Sequence, residues 1–171
     1  MAANADPITG GISFTGLQGS ATPVDATNTA TTLDLATGIS LGGLIFVTGG
    51  TEDFTAVPAF TLATFTSFQF APFSGPISPL WTLTSGSNTY SFELTSINIS
   101  EQSSTQLSLN GGGVLSATGY DNSLGGWTLN INSAGDSVFG WSSTTVPEPA
   151  TLALFGFGLL GMGMVRRRKA S

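Results

Sequence analysis

Few residues in this chain have side chains that could catalyse a reaction. Residues 1–145 contain no His, Cys, Lys or Arg. A Ser/His/Asp site, a Cys/His site and a Ser–Lys dyad are therefore excluded from this region. The same absences exclude His- or Cys-ligated metals, and also phosphate-binding loops that need a basic partner. We expect neither a metal nor another cofactor.

The remaining candidates in this region are carboxylates: Asp6, Asp25, Asp34, Glu52, Asp53, Glu93, Glu101, Asp121 and Asp136. A pair such as Glu93 and Glu101 is the kind of pair that hydrolyses glycosides. Most of these residues fall in predicted turns or on outward strand positions, where solvation and solubility explain them. We therefore predict that the protein is not an enzyme.

The acidic residues of this region have no basic residues to balance them. Nucleic acids and anionic lipids need cations on the protein, so the charge argues against both as partners. Salt bridges to Lys or Arg are also excluded within residues 1–145. Stability must come from apolar burial and hydrogen bonding.

Two binding alternatives remain open. Glu52-Asp53 or Asp121-Asn122, with nearby carbonyl groups, could supply oxygen ligands for calcium, although no DxDxDG-type loop is present. Aromatic rings could stack on sugars, and the candidates are Trp81, Tyr120 and Trp127, followed by Tyr90 and Trp141. Aromatic residues at alternating strand positions are more often core residues.

The last residues of the chain combine three features in a fixed order. Val146 is followed by Pro147-Glu148-Pro149, a stiff triplet that regular structure does not cross. Residues 150–165 carry no charge and would measure ~24 Å as a helix, against ~30 Å for a hydrocarbon core. The four basic residues of the protein close the segment: Arg166, Arg167, Arg168 and Lys169. This order predicts a single membrane-spanning helix with a cytoplasmic basic tail.

This tail resembles the PEP-CTERM sorting signal of Gram-negative bacteria. The resemblance implies that Val146, Pro147, Glu148 and Pro149 are a processing site for an exosortase, a transpeptidase-like membrane enzyme. It implies export, anchoring in the inner membrane, and then delivery to the cell surface or the extracellular matrix. A plain membrane anchor with a proline-rich stalk is the alternative, and it would retain the tail.

The chain divides into five predicted parts. Residues 1–5 are predicted to be the remnant of a signal peptide, because Ala3-Asn4-Ala5 has small residues where a signal peptidase inspects them. The other parts are a β-rich ectodomain (6–142), a linker with the PEP triplet (143–149), the membrane helix (150–165) and the basic tail (166–171).

The sequence of the ectodomain is typical of short strands joined by tight turns. Apolar residues alternate at Ile12 and Phe14, at Tyr90, Phe92 and Leu94, and at Trp127, Leu129 and Ile131. This period indicates β-strands with one buried face. We predict an antiparallel β-sandwich, jelly-roll-like or immunoglobulin-like.

Several segments are harder to interpret from pattern alone. The pattern predicts that residues 18–32 form a long loop and that residues 72–79 are irregular. It also predicts that Leu44–Val47 is a strand buried on both faces and that Gly111–Gly113 interrupt a strand.

The sequence predicts an exported surface or matrix protein with a structural or adhesive role in exopolysaccharide or biofilm. The exosortase and the membrane are its predicted partners, with polysaccharide as a further one and no nucleic acid. The alternative is a carbohydrate- or calcium-binding surface module.

Overall fold

A computed structural model describes residues 6–134 and 136–142. Strands dominate these residues, and the helical ones form two short 3-10 turns, Leu33–Leu35 and Glu52–Phe54. The strands are β1 Gly11–Gly16, β2 Ala21–Val24, β3 Gly38–Leu41, β4 Ile45–Gly50, β5 Leu62–Phe65, β6 Phe68–Gln69, β7 Ile77–Ser85, β8 Asn88–Gln102, β9 Gln106–Ala117, β10 Ser123–Asn132 and β11 Ser137–Ser142.

Eight of these strands close into an antiparallel barrel in the order β1-β11-β10-β9-β8-β7-β5-β4. The closing strand is β1, which pairs with β11 on one side and with β4 on the other. The prediction of an all-β antiparallel fold is confirmed, but the sandwich is wrong. The first and last described strands are neighbours, so one sheet curls and closes on itself instead of stacking on a second sheet.

The alternation read from the sequence places the core inside the barrel. Ile12 and Phe14 of β1 are buried, as are Phe92 of β8 and Leu129 and Ile131 of β10. Their neighbours along each strand point outward and are more exposed. Such alternation fits a small barrel, whose interior is filled by side chains.

A second sheet of three strands, ordered β2-β3-β6, joins the same hydrophobic core. It contributes the buried residues Ala21, Ile39 and Phe68. The prediction that residues 18–32 form one long loop is therefore corrected, because this range contains β2. Residues 18–32 are mostly small and polar. Pairing with β3, rather than local propensity, therefore makes Ala21–Val24 a strand.

The glycine run at Gly111–Gly113 does not interrupt a strand, contrary to the prediction. It lies inside β9, opposite a register shift in β8 between Leu94 and Ser96. An added Cβ would lie 2.0 Å from the Glu93 carbonyl oxygen at Gly113 and 1.9 Å from the Ser96 carbonyl oxygen at Gly111. The glycines therefore allow the two strands to approach each other where β8 is irregular.

Two further predictions are corrected in part. Only one face of Leu44–Val47 is buried: Ile45 and Val47 face the core, Leu44 is exposed and Phe46 is half-buried. Residues 72–79 are not irregular throughout, since β7 begins at Ile77. Pro79 fits in β7 because the pairing with β8 shifts register there, between Ile77 and Trp81.

No helix within residues 6–134 and 136–142 is long and apolar enough to cross a membrane. The membrane helix predicted at 150–165 lies outside the described residues, as do the predicted signal-peptide remnant at 1–5 and the linker 143–149.

Candidate functional site

The processing and membrane residues predicted in the tail lie outside the described part of the chain. These are Val146, Pro147, Glu148 and Pro149, and also Arg166, Arg167, Arg168 and Lys169. The described residues end at Ser142, the last residue of β11. The side chains of Trp141 and Ser142 are also outside the description.

Two of the predicted sugar-stacking residues are core residues. Trp81 and Trp127 each expose 1% of their surface. The Trp81 ring lies 5.1 Å from the Phe14 ring, and the Trp127 ring lies 5.8 Å from the Phe68 ring. We therefore correct the prediction for these two residues: the alternation that places them on inward positions leaves no ring face for a sugar.

The third predicted stacking residue, Tyr120, lies in the turn between β9 and β10. It is half-buried and packs against the core. The nearby Asp53 carboxylate raises the pKa of the Tyr120 phenol, with smaller contributions from burial and from Tyr90. The three predicted residues thus do not form one exposed row.

The predicted carboxylate pair is too widely separated for glycoside hydrolysis. Glu93 and Glu101 lie on the same strand, β8, eight residues apart. At about 3.3 Å per residue the separation is about 25 Å, whereas hydrolysis needs about 5–9.5 Å. Among residues 6–134 and 136–142, no three acidic side chains come together as a group that could hold a metal ion.

A different feature emerges on the outer face of the barrel. A groove of about 680 Å³ crosses strands β4, β1, β11, β10 and β9. We call it the glycine trough. Its floor consists of Gly11, Gly49, Gly126 and Gly140, and its rim of Ser13, Thr51, Asn110 and Thr128.

Strand register brings these residues together. Ser13 pairs with Gly49 on β4 and with Gly140 on β11, and Thr128 pairs with Gly140 and with Asn110. The floor of the trough lies at the level of the backbone because glycine has no side chain. The space above Gly49 is open, since a Cβ added there would meet no atom within 4 Å. The rim side chains are hydroxyls and one amide, which both donate and accept hydrogen bonds.

An apolar surface lies beside the trough on the same face. Phe46 pairs with Leu62 on β5 and with Thr15 on β1, and the Phe46 and Phe60 rings are 5.5 Å apart. Phe60 is 75% exposed and Leu62 is 58% exposed. We call Phe46, Phe60 and Leu62 the aromatic ledge. Thr15 is two residues from Ser13, so ledge and trough are about 7 Å apart along β1.

The backbone of Phe60 is unusual. Its N–H donates to the Val47 carbonyl at 2.8 Å, while the Val47 N–H donates to the carbonyl of Thr61 at 2.9 Å. Phe60 and Thr61 therefore lie opposite the single residue Val47, as in a β-bulge. The φ of Phe60 is 67°, in the left-handed region where this kind of bulge normally has glycine.

No pattern in the sequence singles out the residues of the glycine trough or of the aromatic ledge. Phe60 belongs to the aromatic stretch that continues with Phe65 and Phe68, and no local pattern separates the exposed ring from the inward ones. The glycines of the trough are far apart in the chain, and only the closure of the barrel brings them together.

Comparison with protein families finds a match to the PEP-CTERM protein-sorting motif at residues 145–169. Comparison with curated proteins found no match, and comparison with solved structures found none either. The chain therefore carries a PEP-CTERM sorting signal, as its tail predicted. The motif implies an extracellular protein that is exported, processed at the membrane by an exosortase and then released to the surface or beyond.

Proposed function

We propose that this protein is a non-enzymatic matrix protein with a structural and adhesive role in exopolysaccharide or biofilm. The observation that carries the proposal is the sorting motif at residues 145–169, which directs the chain out of the cell. The barrel that precedes it has the chemistry of a passive, hydrated component: residues 6–142 contain carboxylates and many hydroxyl and amide groups, but no Lys, Arg, His or Cys.

The proposal that the protein is not an enzyme is supported by the available side chains. Nucleophile–base pairs that need His, Cys or Lys cannot form within residues 6–142. The pair Glu93 and Glu101 is too widely spaced along β8. The calcium alternative gains no support from the described residues, because no three of their acidic side chains come together.

The first experiment is the intact mass of the protein recovered from the surface of its native host. We expect a mass that ends near Pro147–Pro149, because the exosortase removes the helix and the basic tail beyond the triplet. A mass that still includes Arg166 to Ser171 would mean a permanent anchor and would contradict release into the matrix. A Pro147→Ala, Pro149→Ala variant is the matched test, and it should stay uncleaved in the membrane fraction.

The second experiment separates the matrix role from sorting alone. Deleting the gene should leave growth unchanged while lowering the amount of polysaccharide retained in the biofilm, and the wild-type gene should restore it. The uncleaved variant should not restore it. Unchanged retention in the deletion strain would contradict the structural role and leave sorting intact.

A further inference from the structure

The outer face of the barrel around β4 and β1 carries two adjacent surfaces, the glycine trough and the aromatic ledge. The glycine trough is uncharged and largely apolar, with hydroxyl and amide groups at its rim above a bare backbone floor. The aromatic ledge beside it exposes Phe60 and Leu62 to solvent. Large exposed apolar side chains next to a polar rim are typical of interaction sites.

The bulge gives Phe60 a left-handed φ at a position where glycine would be the expected residue. A left-handed φ costs a residue with a side chain roughly 1–2 kcal/mol relative to the right-handed conformation, and glycine would avoid the cost. Burial of the ring offsets little of this cost, since the ring is 75% exposed and packs against the half-buried Phe46. A strained residue that displays an aromatic ring to solvent points to a contact outside the chain.

The charge of the surroundings restricts the partner. The trough and the ledge contain no charged side chain, and residues 6–142 as a whole contain acids and no Lys or Arg. An anionic polymer would be repelled by this body and would find no cation to bind. Net charge of the same sign also opposes association with a second copy of the chain.

The shape and chemistry of the face fit a chain of sugar rings. Aromatic rings such as Phe60 and Phe46 stack on the apolar faces of sugars. Hydroxyl and amide groups such as those of Ser13, Thr128 and Asn110 donate to and accept from sugar hydroxyls. The glycine floor lets a flat ring approach the backbone, as glycine does elsewhere where a ligand comes close.

We propose that the glycine trough and the aromatic ledge together bind a neutral polysaccharide chain. This inference rests on the proposed matrix function and specifies the surface and the class of polymer. It also replaces the buried indole rings of Trp81 and Trp127 with exposed phenylalanines as the stacking residues.

The test measures binding of the full chain, in detergent micelles, to extracellular polysaccharide of the native host separated by anion exchange into neutral and acidic fractions. We expect binding to the neutral fraction and none to the acidic one. Affinity should change no more than about twofold between about 50 mM and about 500 mM salt, because no ion pair forms. Binding confined to the acidic fraction, or to neither fraction, would overturn the proposal.

Two variants locate the site, each with a matched control. Phe60→Gly removes the ring and relieves the left-handed φ, so its melting temperature should stay close to that of the wild type while affinity falls at least about tenfold. Phe60→Tyr keeps the ring and should retain binding. Leu35→Ala removes another exposed apolar side chain, away from this face, and should have no effect.

Gly49→Gln fills the trough, and it should also weaken binding at least about tenfold. Gly42→Gln is its control, because a Cβ at Gly42 likewise meets no atom within 4 Å and this glycine lies outside the trough. If the wild type binds the neutral fraction and both site variants bind equally well, the proposed surface is wrong and the matrix function survives. If Phe60→Gly instead converts a dimer to a monomer in sedimentation velocity, with polysaccharide binding unchanged, the ledge is a self-association surface and the proposal falls.

Discussion

At the scale of single residues, Asp25 shows how this chain uses carboxylates without cations. Its carboxylate accepts hydrogen bonds from the Thr27 hydroxyl at 2.7 Å, from the Thr27 N–H at 2.8 Å and from the Thr29 N–H at 3.0 Å. The Thr27 hydroxyl contributes most to a lowered pKa of Asp25, followed by the N–H groups of Thr29 and of Thr27. The acid thereby organises the turn after β2.

This arrangement predicts a pH dependence with a definite sign. The folded pKa lies below the unfolded value, so the stabilisation of the turn is present above the unfolded pKa and is lost as the pH falls through the folded one. Thr27→Val should raise the pKa of Asp25, and Thr32→Val should not. Carboxyl chemical shifts followed by NMR through an acid titration measure both. An unchanged pKa in Thr27→Val would contradict the assigned cause.

The same hydrogen bonds explain why an acid such as Asp25 suits a turn. Hydrogen bonds from backbone and hydroxyl groups stabilise its charged form, which suits a turn and not a proton donor. The sequence predicted that most acids lie in turns or on outward strand positions, and Asp25 lies in a turn.

At the scale of elements, strands β8 and β9 approach each other closely at Gly113. A Cβ at Gly113 would lie 2.0 Å from the Glu93 carbonyl oxygen and 2.5 Å from the Phe92 ring. Both groups belong to the wall or the core and cannot move aside cheaply. At Gly112, on the outward side, the nearest atom is the Ser96 hydroxyl at 3.4 Å.

We therefore expect Gly113→Ala to lower the free energy of unfolding by at least about 2 kcal/mol, through overpacking. Gly112→Ala should change it by less than about 0.5 kcal/mol. Urea unfolding monitored by the fluorescence of the buried Trp81 and Trp127 measures both. Equal effects of the two substitutions would mean that β9 moves away from β8 at no cost.

Sequence patterns predicted the strands well and their assembly poorly. Alternation is a local property, so it located β1, the first part of β8 and β10 with their inward residues. Closure depends on β1 pairing with β11, in which Thr15 faces Val138 from the other end of the chain. No local period encodes such a pairing, and a sandwich and a barrel of short strands have the same pattern.

The candidate surface was missed for a related reason. Trp81 and Trp127 were predicted to be ligand-stacking residues from their type, yet the inward side of each strand is decided by the barrel. Phe60 is exposed because a bulge opposite Val47 turns it outward. Glycine would be the expected residue there, so the sequence carried no warning of a bulge.

At the scale of the whole molecule, the imbalance of charge has a direct consequence. Residues 1–145 carry nine carboxylates and no Lys, Arg or His, whereas the four basic residues come after the processing triplet. Processing would therefore remove every basic side chain. The released body must have a lower isoelectric point than the full chain.

We expect isoelectric focusing to show this acidic shift between the membrane form and the released form. Acidification should then bring the released form to its solubility minimum at a lower pH than the full chain, since repulsion between like charges keeps it dispersed. Turbidity against pH measures the minimum. Coincident minima would mean that the basic tail is still present in the released protein.

Closure of the barrel also affects how the protein behaves when many copies are crowded together. Each of its eight strands has a neighbour on both sides, although the second half of β8, from Ser96 to Gln102, pairs only with β9. The small sheet also has open edges, where β2 contains Pro23 and β6 has only two residues. Such short, proline-bearing edges resist the strand-to-strand stacking that builds fibrils. When copies are crowded, closure of most of the wall and these short edges therefore disfavour fusion of copies through their strands.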